Sequence, residues 1–213
     1  MAKLSDSVKL QIFSDLVHIK SVNDNEKQVA EYLQQLFKQH DITSKIIPVS
    51  GSRVNLVAEI GTGKPVLGIS GHMDVVSAGD VSKWNSDPFE LTERDGKLYG
   101  RGAADMKSGL AAMVIAMIEI HDNGMLDHGR IRLMATMGEE VGELGSRTFA
   151  DKGYMDDVDA LVIGEPSGWQ IAYAHKGSMD VRLTSKGKAA HSSMPEQGYN
   201  AIDPLIELLH NAN

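Results

Sequence analysis

Apolar residues first recur at helical spacing. Val8, Ile12, Leu16 and Ile19 fall on one face behind a cap at Ser5 or Asp6. Asn23-x-x-Glu26 has the spacing of a capping box, which predicts a second helix with Val29, Leu33, Leu36 and Phe37 on one side. The period then shortens. Residues 42–49 and 54–60 read as strands joined to the next by a Gly61-Thr62-Gly63 turn. Residues 66–70 are almost wholly apolar, as expected of a central strand buried on both faces. Asp95-Gly96, between residues 89–92 and 97–99, predicts a hairpin. Residues 105–123 predict the longest helix, with Gly124 as its stop. Residues 131–137 and 160–163 read as two more buried strands, with a helix near 146–152 between them. Such alternation specifies an α/β fold: a mixed, mostly parallel sheet flanked by helices.

The texture changes after Pro166. Residues 170–175 and 178–186 read as an antiparallel pair. A helix over 201–209 carries Ile202, Leu205, Leu208 and Leu209 on an apolar face. A domain boundary is expected near 166–177.

Composition narrows the function. With 213 residues, 42% of them hydrophobic, the chain can build a core without staples. Its 29 acidic and 21 basic residues give a net charge of −8, unsuited to nucleic-acid backbones or anionic membranes. Cysteine is absent, which removes disulfides, thiolate nucleophiles and Cys-ligated zinc. The N-terminal residues lack a signal-peptide pattern, and the longest apolar run, 110–120, is too short to span a bilayer. The expected location is therefore cytoplasmic. No Gly-x-Ser-x-Gly elbow occurs, so a serine hydrolase is disfavoured.

Four acid-rich signatures follow predicted strands or open a helix: Gly71-His72-Met73-Asp74, Gly100-Arg101-Gly102-Ala103-Ala104-Asp105, Gly138-Glu139-Glu140 and Gly164-Glu165-Pro166. Ligand sites in open α/β sheets lie at the C-terminal ends of strands. Singly, each signature is compatible with a satisfied polar residue, a solvated acid pair or a turn. Their coincidence on successive strand ends points to a metal centre. His72, Asp105, Glu140 and Glu165 are ligand types suited to Zn²⁺ and related divalent ions. A carboxylate such as Asp105 can bridge two cations about 4 Å apart. Asp74, two residues after His72, shares its side of an extended chain and can steady the imidazole.

Gly71-His72-Met73-Asp74-Val75-Val76, Trp84-x-x-x-Pro88-Phe89, Asp95-Gly96-x-Leu98-Tyr99-Gly100-Arg101-Gly102 and Asp105-Met106-Lys107 together resemble one family. It is the zinc-dependent amidohydrolases that include succinyl-diaminopimelate desuccinylase, acetylornithine deacetylase, glutamate carboxypeptidase and several dipeptidases. Gly138-Glu139-Glu140 and Gly164-Glu165-Pro166 match its next two motifs, so the resemblance runs over essentially the whole chain.

The resemblance implies hydrolysis of an amide in an N-acyl amino acid, with N-succinyl-diaminopimelate, in lysine synthesis, favoured by the His72 and Asp105 segments. Acetylornithine deacetylation and dipeptidase or carboxypeptidase activity are the rivals. An inactive metal-binding or interaction module is the alternative of another class. Two divalent ions, Zn²⁺ with Co²⁺ or Mn²⁺ as substitutes, are implied. His72 and Glu165 would hold one, Glu140 the other, and Asp105 would bridge. Glu139 would be the general base, Asp74 would orient His72, and His191 in Ala190-His191-Ser192-Ser193 would reach the site of a partner subunit in a homodimer. Residues 1–175 would form the catalytic domain and 176–213 the beginning of a small α+β lid and dimerisation domain.

The same pattern calls for one more ligand, a histidine far downstream. The chain ends before it. Glu140 and Asp105 alone give the second cation two protein ligands, below the usual three of a catalytic zinc site. The expectation is a truncated form, with an incomplete second metal site, catalytic sheet and lid. His18, His40, His121, His128 and His210 read as surface, packing or helix-end residues, and His175 falls at the domain boundary.

Overall fold

The first predicted helix forms as Asp6–His18 (α1), and Ser5 is its cap: the Ser5 hydroxyl accepts a hydrogen bond from Val8 N at 3.3 Å. The second, Lys27–Gln39 (α2), buries Val29, Leu33 and Phe37 as its spacing predicts. Its expected capping box does not form. Glu26 is fully buried and binds Arg53 through both carboxylate oxygens, so tertiary ion pairing takes the side chain from the helix end. In this computed structural model the described residues are 3–168, 170–174, 176–177, 179 and 181–212.

Strands follow as Thr43–Ser50 (β1), Arg53–Thr62 (β2) and Val66–His72 (β3). Thr92–Arg94 (β4) and Lys97–Tyr99 (β5) form the expected hairpin, whose Asp95 and Gly96 both take positive φ. The long helix spans Ser108–Asp122 (α3) rather than starting at residue 105. Asp105, at φ −118° and ψ 99°, leaves helical geometry. Gly129–Thr136 (β6), Leu144–Asp151 (α4) and Ala160–Ile163 (β7) complete the first unit.

The five-stranded sheet has the order β1-β2-β6-β3-β7. Pairing is antiparallel for β1/β2 and β2/β6 and parallel for β6/β3 and β3/β7. Four strands therefore run one way and only β2 is reversed. This is the mixed, mostly parallel sheet expected from the alternation of elements.

The two-residue period of β2 sorts its side chains between layers. Leu56, Ala58 and Ile60 join the main core with Leu16, Leu33, Phe37, Leu110, Val114 and Ile118 from α1, α2 and α3. Val57 faces the other way, onto Ile47, Met134 and Phe149 of α4. Leu133, wholly buried on β6, lies at the centre of the larger core. Leu133→Ala is expected to cost about 2–5 kcal/mol of folding stability, read from urea unfolding. β7 departs from expectation: Leu161, Val162 and Ile163 are 41–57% exposed, because among the described residues β7 pairs only with β3 and lies at the sheet edge.

The chain divides into the units Met1–Gln170 and Ile171–Asn213. In the second, the antiparallel pair expected over 170–175 and 178–186 is not a ladder among the described residues; His175 and Ser178 lie outside them. Ile171 and Tyr173 are more than 90% exposed, so no buried face holds two strands in register there. What this unit has instead is a bridge between Lys188 and Tyr199, a short turn at Pro195–Gln197 and the helix Asp203–Asn211 (α5). Ile202, Leu208 and Leu209 beside or on α5 are exposed, as the sequence suggests, and Leu205 is half-buried. No helix among the described residues is long and apolar enough to cross a membrane.

Candidate metal centre

Three strands running the same way deliver most of the site. β3 ends at His72, β6 ends just before Met137-Gly138-Glu139-Glu140, and β7 ends just before Gly164-Glu165. His72 pairs with Thr136 and Ser70 with Ile163, so β3 and β6 end level and β7 stops two residues short, with Gly164-Glu165 continuing beyond it. Acidic side chains from neighbouring strand ends thus meet at the C-terminal edge of the sheet. Asp105 arrives from the irregular stretch before α3. That stretch is held close by Gly109: a Cβ there would sit 2.0 Å from Gly164 O, so any other residue would push α3 away from the Glu165 loop.

His72 is the hub, at 2% exposure. Its Nδ1 lies 2.9 Å from the Asp74 carbonyl oxygen. A carbonyl only accepts, so Nδ1 carries the proton and donates. The other ring nitrogen, Nε2, faces acids: Asp105 Oδ1 at 3.1 Å, Glu165 Oε1 at 3.7 Å and Glu139 Oε2 at 3.8 Å. Glu140 completes the group: ligand atoms of His72, Asp105 and Glu140 lie within 4.8 Å of one another.

Asp74 orients the imidazole mainly through its main chain. Its carboxylate lies 3.6 Å from His72 Nδ1 and instead accepts hydrogen bonds from Glu139 N and Glu140 N, each at 3.1 Å. One buried residue therefore sets both the histidine tautomer and the start of the Glu139-Glu140 turn.

The electrostatics crowd carboxylates around one imidazole. Burial raises the carboxyl pKa of Glu139, and the charges of Asp74 and Asp105 push it the same way. Burial likewise raises Glu140, helped by Asp105 and Glu139. Glu165 is pushed up to about 7 by burial, with Asp105 and Glu139 adding to it. At His72 burial works against the charged form, but the Asp105 hydrogen bond and the charges of Glu165 and Asp74 outweigh it and raise its pKa. Carboxylates converging on one nitrogen lone pair repel unless a proton or a cation sits between them. One imidazole nitrogen and several carboxylate oxygens form a donor set that fits Zn²⁺ and similar divalent ions.

Of the seven residues singled out from sequence, the structure brings six into this cluster: His72, Asp74, Asp105, Glu139, Glu140 and Glu165. His191 belongs to the second unit, where it is exposed and its Nδ1 lies 2.8 Å from Ser193 Oγ.

Sequence reasoning missed the residues that brace the cluster. Lys107 is fully buried and donates from Nζ to Leu16 O and Ile19 O, both at 2.7 Å, tying the Asp105 stretch to the end of α1. Burial pulls its ammonium pKa down to about 7. Ser21 donates to Met73 O at 2.7 Å and accepts Val75 N through its carbonyl at 3.0 Å, bracing the turn after His72. Lys107 stood in a quoted motif, but nothing in the local sequence marks it as buried. Ser21 carried no signal at all.

A fold that gathers residues of metal-ligand type at parallel strand ends defines a class, and sequence comparison agrees with it. Residues 68–211 match the model of peptidase family M20/M25/M40, and the chain belongs to that family. Within it, the chain is 56% identical over 210 residues to a probable succinyl-diaminopimelate desuccinylase of Staphylococcus epidermidis, covering 99% of this chain and 52% of that one. An acetylornithine deacetylase of Pasteurella multocida is 37% identical over 212 residues, covering 95% and 53%. The chain thus spans about half the length of the curated relatives it matches.

Solved structures agree on the fold. An M20 family metallo-carboxypeptidase of Sulfolobus solfataricus superposes with a TM-score of 0.67 at 22% identity, covering 76% of this chain and 37% of that one. A dinuclear metal-binding M20 peptidase of Bacillus subtilis gives 0.56 at 18% identity, covering 74% and 42%.

Proposed function

We propose that these residues belong to a metal-dependent hydrolase that removes the succinyl group from N-succinyl-diaminopimelate, a step of lysine biosynthesis. The observation that carries this reading is the ring of Asp105, Glu139 and Glu165 around the lone-pair edge of one buried imidazole, with Glu140 alongside. The choice of acyl group is supported by the 56% identity to a protein of that name, against 37% to a deacetylase.

His72 and Glu165 would hold one divalent ion, Glu140 the other, and Asp105 would lie between them; Zn²⁺ suits the donors best. When bound, the ions would supply charge that makes water acidic near neutral pH and polarises the scissile carbonyl. The chain's own groups then move the protons. Asp74 O holds His72 Nδ1–H, so Nε2 keeps its lone pair for ligation. Glu139 takes a proton from water as the water oxygen bonds to the amide carbon. The C–N bond breaks, Glu139 returns that proton to the leaving nitrogen, and succinate and the free amine result. Main-chain hydrogen bonds to Asp74 fix Glu139 for both transfers. His191, donated by a second subunit of a homodimer, would face the oxyanion. Residues 1–175 act as the metal-binding domain and 176–213 as the beginning of the lid and dimerisation domain. The cysteine-free sequence supports a cytoplasmic setting.

The deciding experiment compares kcat/KM for N-succinyl-diaminopimelate, N-acetylornithine and a dipeptide with zinc supplied. Preference for the succinyl substrate is expected. Preference for N-acetylornithine or the dipeptide moves the activity to another branch of the family, and zinc binding without turnover of any of them leaves a metal-binding module.

Metal uptake is expected to release protons below neutral pH. Glu165 is pushed from its ordinary 4.5 up to about 7, so it holds a proton that ligation must displace. Without metal, the contribution of this group is complete below about pH 4.5 and fades as pH rises through about 7. Affinity for Zn²⁺ should therefore fall as pH drops below 7, with calorimetric heats that vary with buffer ionisation enthalpy. Heats independent of the buffer at pH 6 would contradict this.

A further inference from the structure

We propose that Asn55, aided by Arg53 two residues earlier on β2, is the positioning residue for the loop that carries Glu139 and Glu140; this rests on the base and ligand roles proposed above for that pair.

The loop runs from Met137 to the start of α4. Gly138, Gly142 and Glu143 in it adopt left-handed φ values of 68°, 96° and 57°. It is a folded turn with its own hydrogen bonds: Glu143 N to Gly138 O at 2.8 Å and Gly145 N to Met137 O at 3.2 Å. The Glu139 side chain is 42% exposed, so little packing fixes its carboxylate. Its aim is set by where the main chain of the loop is held.

That main chain has anchors at opposite ends. Asp74 accepts Glu139 N and Glu140 N at the site end. At the base, Asn55 is fully buried and spends its whole amide on the loop: Oδ1 accepts Met137 N at 3.0 Å, and Nδ2 donates to Gly145 O at 2.8 Å. Those two contacts join residues 82 and 90 positions away in the chain. Only a side chain with a donor and an acceptor in one plane can close the loop this way. Alanine offers neither group, and an ionised aspartate cannot donate.

Arg53 lies on the same face of β2 as Asn55, as the two-residue period requires. Buried Glu26 binds it through both oxygens, and Asp24 pairs with it at 2.7 Å. Its guanidinium lies close against the loop at Gly138, whose φ of 68° favours glycine: a Cβ there would lie 2.7 Å from Arg53 Nη2. One strand face thus supplies a clamp at Asn55 and a floor at Arg53. Asn55 spends its amide on the loop main chain, and Arg53 also faces the charge of Asp74, the loop's other anchor, so both act through the loop and its anchors.

The test uses the 213-residue chain and two readouts besides activity. Hydrogen–deuterium exchange on the metal-free wild type should show Met137 N–H protected like a strand amide although it lies beyond β6. Exchange as fast as in exposed loops overturns the clamp without any variant. Asn55→Ala and Asn55→Asp are then compared with Ile60→Val, which trims the core on the same strand. Both Asn55 variants should lose protection across residues 137–146. They should also bind Zn²⁺ at least about tenfold more weakly, with an altered visible spectrum of the Co²⁺ form, while Ile60→Val stays within about twofold of wild type. Unchanged exchange at the loop overturns the proposal. Lost protection with unchanged affinity and spectrum reduces Asn55 to a structural residue and overturns it equally. If the wild type binds neither ion, the metal reading fails, and loop exchange alone decides the clamp.

Discussion

Glu139→Gln is expected to lower kcat for N-succinyl-diaminopimelate by roughly 10²–10⁴-fold while metal affinity stays near that of the wild type. Glutamine keeps the shape and the main-chain hydrogen bond from residue 139 to Asp74, so the turn should stand. What is lost is a basic oxygen. Glu139 Oε2 sits 3.8 Å from His72 Nε2, at the edge of the cluster, with 42% of the side chain open to solvent. In the metal-free site, burial and the charges of Asp74 and Asp105 raise its pKa. Since KM and metal content should hold, the loss should fall on the chemical step. A parallel measurement of zinc stoichiometry and steady-state kinetics checks this. Equal turnover by the variant would remove Glu139 from the proton-transfer role. A variant that loses metal as well would make it a ligand instead.

Asp74→Ala should be the most damaging change that removes no ligand. The residue is fully buried, and its two oxygens accept Glu139 N and Glu140 N, each at 3.1 Å. Hydrogen bonds to a charged acceptor contribute about 1.5–3 kcal/mol each, and the amides left behind are partly buried. The expected loss is about 2–4 kcal/mol in the metal-free fold, a large share of the 5–15 kcal/mol typical of a domain. Metal affinity should fall about 10–100-fold, because the loop bearing Glu139 and Glu140 loses its upper anchor. Asp74→Asn keeps one acceptor and turns an amide donor toward the other N–H, so it should fall between wild type and alanine. Urea unfolding in chelator and zinc competition titrations measure the two effects separately. Unfolding midpoints and zinc affinities for Asp74→Ala that match the wild type would show that the turn holds itself.

The periodic part of the fold was legible because burial is periodic. Helices α1 and α2, the hairpin at Asp95-Gly96 and strands β2, β3, β6 and β7 all sit where apolar spacing or turn chemistry puts them. The misreadings share a cause. Glu26 has the spacing of a capping partner, yet it is claimed by Arg53 from another element. Asp105 follows the helical pattern but is turned out of it and points at His72. The run 160–163 is apolar, yet it lies at an edge where its side chains stay exposed. In the first two cases a partner distant in sequence outweighs a local preference, and in the third no neighbour among the described residues covers the outer side of the strand; local sequence carries no record of either.

The site divides along the same line. The sequence alone determined the candidate ligand types, their attachment to strand ends and the family, because motif spacing and strand periodicity are local properties. Only the tertiary structure decided how those residues act together. It made the Asp74 main chain, with its carboxylate farther off, the acceptor for His72. It brought three parallel strand ends to one edge so that acids meet one nitrogen. It buried Lys107 and Asn55 as braces of the site. The physical reason is that a brace is defined by which backbone groups it satisfies. Those groups, at Leu16, Met137 and Gly145, become its neighbours only when the sheet and its helices close around them.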